Sequence, residues 1–261
     1  MSFKVLVITI SIGSDYQKIY EKYFIENHKK FCEAFSFDFK NITNFIDKNT
    51  TKKSLTTAQK ILICNCENAD NYDFLIFLDC DIFINIENAK KHINDLFQFP
   101  EKIMIVDEYD QHGFENRINI NKAMGWESSA SEYYVNFGHK IKTSKVLNSG
   151  FFVLNPKFHK KFMEKIYSFV SLNVKMHSNY FHFEQSTFGY NLQNEKKFSL
   201  LNNKWNYLFT IDELFKKKSL LNKIFYSRKK RLKSIFKSNI MIHFAGGSYK
   251  YFKPHFLKKL N

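Results

Sequence analysis

The sequence predicts an α/β protein built on a mostly parallel sheet with helices on both faces. Three observations predict it. Candidate strands alternate with candidate helices through the first two thirds of the chain. The strands read as continuous apolar runs, as strands buried on both faces do. The chain has 261 residues, 44% of them apolar, which is ample for one large core. Only 8 Gly and 3 Pro are present, too few for a long flexible linker, so a single domain over 1–261 is expected.

The elements follow in order. FKVLVITI (Phe3 to Ile10) is β-branched and continuous, and reads as a first strand. Its apolar run, Val5 to Ile12, is too short and too polar at Thr9 and Ser11 for a targeting segment. SIGSDY is a turn. Tyr16 to Phe35 carries Ile19, Tyr23, Phe24, His28 and Phe31 at helical spacing. FSFDFKNITNFI is a short strand and loop. Leu55 to Ala69 reads as a second helix, with Ser54 or Thr56 as its cap. YDFLIFLDCDIFINI contains the strand with the clearest apolar run, and IENAKKHINDLFQF is a helix after it. KIMIVDEYD is a strand ending in acids. Gln111 to Lys145 reads as irregular and polar, too long for an ordinary loop, so a functional role is expected. VLNSGFFVLNP is a strand stopped by Pro156, and KFHKKFMEKIYSFVSL a helix. YFHFEQSTFGYNLQ opens another helix, KFSLLNNKWNYL holds a late strand, and NIMIHFAGGSYKYFKPHF closes the chain.

Charge narrows the partners. The formal net charge is +15, and ten Lys or Arg with no Asp or Glu lie between Lys216 and Lys237. Anionic partners follow: nucleic acid, a phospholipid surface or phosphorylated small molecules. Leu221, Phe225, Leu232, Ile235 and Phe236 fall near helical spacing in that segment. The segment at about 213–238 therefore reads as a basic amphipathic helix on an anionic membrane surface. The plainer reading is a solvated helix with one face on the core. Cys32, Cys64, Cys66 and Cys80 show no zinc or disulfide spacing and read as reduced thiols of a cytosolic protein. No apolar run is long enough to span a membrane.

Asp79 and Asp81 stand where FLIFL runs out. In an open α/β sheet, ligands bind at the carboxyl ends of the strands. Residues i and i+2 of an extended chain point the same way, so both carboxylates can converge on one point. Like charges so close repel unless a cation joins them. Hard oxygen ligands favour Mg²⁺ or Mn²⁺, which complete their shell with water and substrate phosphates. The plainer reading is two acids in solvent. Three further segments bear on the choice. Asn148, Ser149 and Gly150 interrupt an apolar strand, where a glycine marks either a bulge or a close approach to the backbone. Glu184 and Gln185 fall at a loop-to-helix junction, where acids are common. His243 ends an apolar strand before Gly246, Gly247 and Lys250. The histidine can ligate a metal or be structural, and the glycines can open backbone N–H groups to phosphate.

In this order, LDCD, NSGFFVLN, FEQS and HFAGGSYK resemble the GT-A glycosyltransferases. The likeness is to the retaining group of glycogenin and the bacterial lipopolysaccharide galactosyltransferases. It extends to the mannan and xyloglucan transferases, with their N-[ST]-G strand and late H-F-A-G. It spans roughly Phe3 to Lys250. It implies a Rossmann-like nucleotide-diphospho-sugar transferase domain. By this resemblance Asp79, Asp81 and His243 hold Mn²⁺ or Mg²⁺, with Asp79 also near the ribose. Gly246 and Lys250 bind the diphosphate, although the family form G-x-x-K-P-W has two residues between Gly and Lys, and here three separate Gly246 from Lys250, with no Pro-Trp. Asn148, Ser149 and Gly150 line the donor sugar, and Glu184 and Gln185 match the D-Q pair beside the reacting carbon. Lys60 contacts the donor, and Thr9, Ile10 and Tyr16 line the base pocket.

The expected activity is metal-dependent transfer of a sugar from a UDP-sugar to a glycan or lipid-linked saccharide, with retention. The expected place is the cytoplasm, peripheral on the inner face of the membrane. Trp126, Glu127, His139 and the tyrosines of 111–145 are expected on the acceptor side. Two other classes remain. A sugar nucleotidyltransferase would carry a Gly-rich basic loop after the first strand, and SIGSDY is poor for that. A non-enzymatic basic binding protein would not be stabilised by UDP with Mn²⁺. Nucleic acid is disfavoured by the acidic strand end and by the lack of a helix-turn-helix or RRM-like element.

Overall fold

The computed structural model describes residues 3–176, 180–217 and 227–260. The strands among them are β1 (Val5–Ile10), β2 (Asp38–Ile42), β3 (Phe74–Asp79), β4 (Ile82–Ile84), β5 (Ile103–Asp107), β6 (Leu147–Leu154), β7 (Phe198–Leu201), β8 (Tyr207–Leu208) and β9 (Met241–His243). Six form one sheet in the order β2-β1-β3-β6-β5-β7, and three form a second, β4-β9-β8. In the large sheet β6 alone runs against its neighbours, and the other pairings are parallel. This is the expected mostly parallel sheet.

Why the strands lack polar alternation is visible in the core. Leu6, Ile8, Leu75, Phe77, Phe152 and Leu154 pack on one face, and Val5, Val7, Ile76, Leu78, Phe151 and Val153 on the other. Successive side chains point to opposite faces, so covering both faces with protein requires both sets to be apolar.

The first helical run divides into α1 (Ser14–Tyr23) and α2 (Ile25–Phe35). Phe24 leaves the helical basin at φ −124°, ψ −36°, and its buried ring packs against Phe244 and Tyr249. The expected helix over Leu55 to Ala69 is instead wound as 3₁₀ turns at Thr57–Asn65 and Ala69–Asn71, with Ala58 to Cys64 buried. There Gln59 Oε1 accepts from the backbone N–H groups of Ile46 and Asp47, and ties the turns to the preceding loop. α3 (Ile86–His92) is capped by Asn85, whose side chain accepts from Asn88 N.

The stretch expected to be irregular, 111–145, holds α4 (Phe114–Met124) and α5 (Ala130–Asn136). α4 is poorly amphipathic, but the helix ends are marked. Gly125 closes α4 at φ +69°, and Ser129 Oγ accepts from Glu132 N at the start of α5. α6 (Pro156–Asn173) begins with Pro156 in its first turn and buries His159, Phe162, Met163, Ile166 and Val170. α7 (Tyr180–Asn194) begins before Glu184, so Glu184 and Gln185 lie within the helix and not at its junction.

α8 (Phe209–Lys217) and α9 (Arg228–Ser238) bracket residues 218–226. Leu221 and Phe225 of the basic segment lie outside the described residues. In α9, Leu232, Ile235 and Phe236 are buried in a cluster with Phe83, Phe209, Ile242 and Phe252. The apolar face of this helix is turned into the core, and Lys229, Lys230, Lys233 and Lys237 face solvent. Arg231 forms a bidentate pair with the buried Asp212, and Arg228 Nε lies 2.5 Å from Glu213 Oε1, which fastens α9 to α8. α10 (Pro254–Lys258) ends the fold. No helix among the described residues is long and apolar enough to cross a membrane. The four cysteines are unbridged.

Candidate metal and donor site

The site forms where the two sheets meet. β3 ends at Asp79, the chain turns through Cys80 and Asp81, and β4 leaves to pair with β9. Ile82 faces His243 across that antiparallel ladder, and Phe244 N donates to Asp81 O at 3.0 Å. This pairing carries the late histidine to the early aspartates. One ligand atom each from Asp79, Asp81 and His243 lie within 4.8 Å of one another. His243 Nε2 is 3.2 Å from Asp81 Oδ1 and 3.9 Å from Asp79 Oδ2.

Burial alone would lower the His243 pKa, but the Asp81 carboxylate outweighs it and raises it, with Asp79 adding to the effect. Burial would raise Asp81, and the imidazolium of His243 holds it down. Two carboxylates and one imidazole nitrogen, drawn to one point, are a donor set that suits Mn²⁺ or Mg²⁺.

Gly150 is where the site needs a glycine. The β5–β6 register shifts between Ile105 and Val106, so β6 bulges over Ser149 to Phe151. A Cβ at Gly150 would stand 2.5 Å from His243 Cε1, 2.8 Å from Asp79 Oδ2 and 2.9 Å from Asn148 Oδ1. Both meanings of an in-strand glycine therefore hold at once, the bulge and the close approach. What approaches is the site's own side chains.

Lys60 joins the two halves of the site. Its Nζ is 3.1 Å from Asp79 Oδ1 and 3.7 Å from Glu184 Oε2. Burial would lower its pKa, but Asp79 and then Glu184 push it up to about 12, so it stays a cation. Burial raises Glu184 to about 7 against the opposing pull of Lys60. Glu184 Oε2 accepts from Ser149 Oγ at 3.5 Å, while buried Oε1 has no hydrogen-bond partner among the described residues. Gln185 Oε1 accepts from Ser149 N at 3.3 Å, and its Nε2 donates to Glu108 Oε2 and Tyr133 OH.

The other expected residues divide. Ile10 is the β1 register partner of Asp79, and Tyr16 is exposed on α1. Thr9 is fully buried, and its hydroxyl lies against His28 Nδ1 at 3.3 Å. Gly246 and Gly247 both adopt left-handed backbone, at φ +71° and +77°, which kinks the 3₁₀ segment Ala245–Tyr251 after β9. Lys250 curls back over Gly247, with Nζ 3.5 Å from where its Cβ would be. Counted from Gly247, the lysine has the expected two-residue separation. In the 111–145 stretch Trp126 is exposed, but Tyr134 and His139 are buried and bonded internally, to Leu147 N and Thr187 Oγ1 respectively.

Sequence reasoning missed Glu108, Arg117 and Asn206. Glu108 accepts from Asn148, Gln185 and Arg117, and Asn206 bridges Asn148 to His243. Glu108 carried a signal, an acid just past a strand end. Asn206, in WNYL, carried none.

No protein-family profile and no curated protein matches the sequence. Solved structures do match in fold. A glycosyltransferase involved in the glycosylation of the major capsid of PBCV-1 superposes with TM-score 0.61 at 11% identity, over 98% of this chain and 99% of its own. The bifunctional glycosyltransferase WbbM superposes at 0.62 and 14%, over 94% of this chain and 46% of WbbM. GlyE of Streptococcus pneumoniae TIGR4 does so at 0.52 and 12%, over 99% and 60%. The chain thus spans under half of WbbM and three fifths of GlyE, and nearly all of the first. At these identities the likeness is one of fold, and the fold is that of GT-A glycosyltransferases.

Proposed function

We propose that this protein is a metal-dependent glycosyltransferase that moves a sugar from a UDP-sugar to a glycan or lipid-linked saccharide, with retention at the sugar carbon. The observation that carries the reading is the convergence of Asp79, Asp81 and His243 within 4.8 Å, on a fold shared with solved glycosyltransferases. Asp79, Asp81 and His243 would hold Mn²⁺ or Mg²⁺. When bound there, the cation supplies positive charge against the diphosphate that leaves.

The remaining roles belong to this chain's side chains. Lys60 keeps a positive charge beside Asp79 and holds Glu184 in place. Glu184, with one buried oxygen unpartnered among the described residues, offers negative potential to a sugar carbon that becomes cationic in the transition state. Gln185 and Ser149 frame the donor sugar. Gly246, Gly247 and Lys250 present left-handed backbone and a point charge for the diphosphate. Ile10 and Tyr16 flank the nucleotide base. The exposed lysines of α9 suit an anionic surface at the inner face of a cytoplasmic membrane, where lipid-linked acceptors are found.

A screen of nucleotide sugars for metal-dependent hydrolysis without acceptor tests the reading. We expect release of UDP from at least one UDP-sugar, abolished by EDTA and by Asp79→Ala or Asp81→Ala in folded protein. Wild-type turnover in either variant, with metal present, would refute it. A nucleotidyltransferase would instead form a nucleotide sugar from a nucleoside triphosphate and a sugar phosphate.

A further inference from the structure

His243 does not orient itself. Its Nδ1 lies 3.0 Å from Asn206 Oδ1, and Asn206 Nδ2 donates to Asn148 Oδ1 at 2.7 Å. Asn148 Oδ1 also accepts from the backbone N–H of Gly150 at 2.9 Å, and Asn148 Nδ2 donates to Glu108 Oε2 at 2.7 Å. Glu108 Oε1 lies 3.1 Å from Arg117 Nη2. Asn148, Asn206 and His243 are each 5% exposed or less. These groups come from five separate places, β6, β9, the turn before β8, the residue after β5 and α4.

A buried amide can be turned end for end only if its two partners are alike in kind. Here they are not. A backbone N–H only donates and a carboxylate only accepts. The oxygen of Asn148 therefore faces Gly150, and its nitrogen faces Glu108. The group 2.7 Å from that oxygen must be a donor, so Asn206 presents nitrogen to Asn148 and oxygen to His243. An amide oxygen only accepts, so the Nδ1 of His243 carries the hydrogen. When the ring is neutral, the Nε2 lone pair is turned to Asp81 and Asp79, 3.2 and 3.9 Å away. A lone pair that close to two carboxylates is repelled unless a positive charge lies between them.

We propose that Glu108, Asn148 and Asn206 form a polarity relay that fixes His243 as its Nδ1–H tautomer and reserves Nε2 for a divalent cation. This rests on reading Asp79, Asp81 and His243 as a metal site. Asn206 is the positioning residue: it touches no expected substrate atom and acts through the imidazole. Partners of this kind, on the far nitrogen of a ligating histidine, set its orientation and basicity, and their loss weakens metal affinity by roughly 10–100-fold.

The test is Mn²⁺ binding to the full chain without donor, by electron paramagnetic resonance and calorimetry, in wild type, Asp81→Asn, Asn206→Leu and Asn206→Asp. Metal-free thermal unfolding checks the fold of each. We expect Asn206→Leu to bind Mn²⁺ about 10–100-fold more weakly. Asn206→Asp should fall nearer the wild type, because its carboxylate still accepts from Nδ1–H. A purely structural asparagine predicts the opposite ranking or equal losses, since aspartate buries a charge against the Asn148 oxygen. ¹⁵N spectra of the Mg²⁺-bound wild type should show His243 protonated at Nδ1 and bare at Nε2, and this readout needs no variant to fold. Wild-type affinity in folded Asn206→Leu, equal losses in the two variants, or a proton on Nε2 with Mg²⁺ bound each overturn the relay. A wild type that binds no Mn²⁺, with Asp81→Asn indistinguishable from it, removes the metal reading itself.

Discussion

His243 Nε2 lies 3.2 Å from Asp81 Oδ1, although 162 positions of sequence separate the two residues. A three-residue ladder brings them together. Ile82 pairs with His243 and Ile84 with Met241, and Phe244 N closes on Asp81 O. The placing of His243 beside Asp81 is therefore as rigid as that ladder, and the geometry of the candidate metal set is exposed to any change in the strand that lies against it.

Gly150 is that strand's point of contact. Gly150→Ala should displace His243 or Asp79, because a Cβ would stand 2.5 Å from the imidazole and 2.8 Å from the carboxylate. Overpacking of this kind costs about 1–3 kcal/mol. Chemical denaturation should show that loss, and Mn²⁺ titration a weaker site. Unchanged stability and affinity would mean that the strand yields where the structure shows it close-packed.

Glu184 should govern the acid side of the rate profile. Its pKa is raised to about 7 by burial, so the carboxylate that favours a cationic sugar carbon is protonated below that pH. Turnover should rise with pH through about 7 in the wild type. Glu184→Gln should be slower by about 10²-fold and lack that limb. The readout is initial rate of UDP release from pH 5.5 to 8.5 at saturating donor and metal. A variant that keeps both the rate and the limb assigns the ionisation elsewhere.

His28 should make the fold acid-sensitive. It is fully buried, its Nε2 donates to Ile82 O at 2.7 Å, and Tyr20 OH donates to its Nδ1 at 3.0 Å. Burial lowers its pKa to about 4 from an ordinary 6.5. Between those values the unfolded chain binds more protons, so stability falls as pH falls from about 6.5 to about 4. The loss from this residue is roughly 3 kcal/mol at its limit. Urea denaturation across pH 4 to 7 should show the slope, and His28→Gln should flatten it even if it lowers stability throughout.

Any membrane contact through α9 should be electrostatic alone. Leu232, Ile235 and Phe236 are committed to the core, which leaves Lys229, Lys230, Lys233 and Lys237 for the surface. Sedimentation with anionic phospholipid vesicles should show binding at low salt that is lost by about 0.5 M NaCl, where screening shortens to a few ångströms. Lys229→Glu with Lys233→Glu should remove most of it. Salt-resistant binding would require apolar insertion from another part of the chain.

The sequence by itself determined the sheet and its working edge. Runs such as FLIFL have no polar alternation because both of their faces are covered, and that is legible from composition and order alone. The period-2 geometry of a strand put Asp79 and Asp81 together, and a late apolar strand ending in His243 named the third member through the resemblance. Local readings fall short where a residue's neighbours lie far along the chain. Thr9 stands near the end of the first strand, and nothing local shows that its hydroxyl lies against His28. Polar 111–145 looked irregular, and its two helices are held by partners that composition does not display, among them Arg117 on Glu108. The relay from Glu108 through Asn148 and Asn206 to His243 was decided by tertiary structure alone. Hydrogen-bond polarity depends on which donor meets which acceptor across four elements, and no periodicity along one chain encodes that meeting.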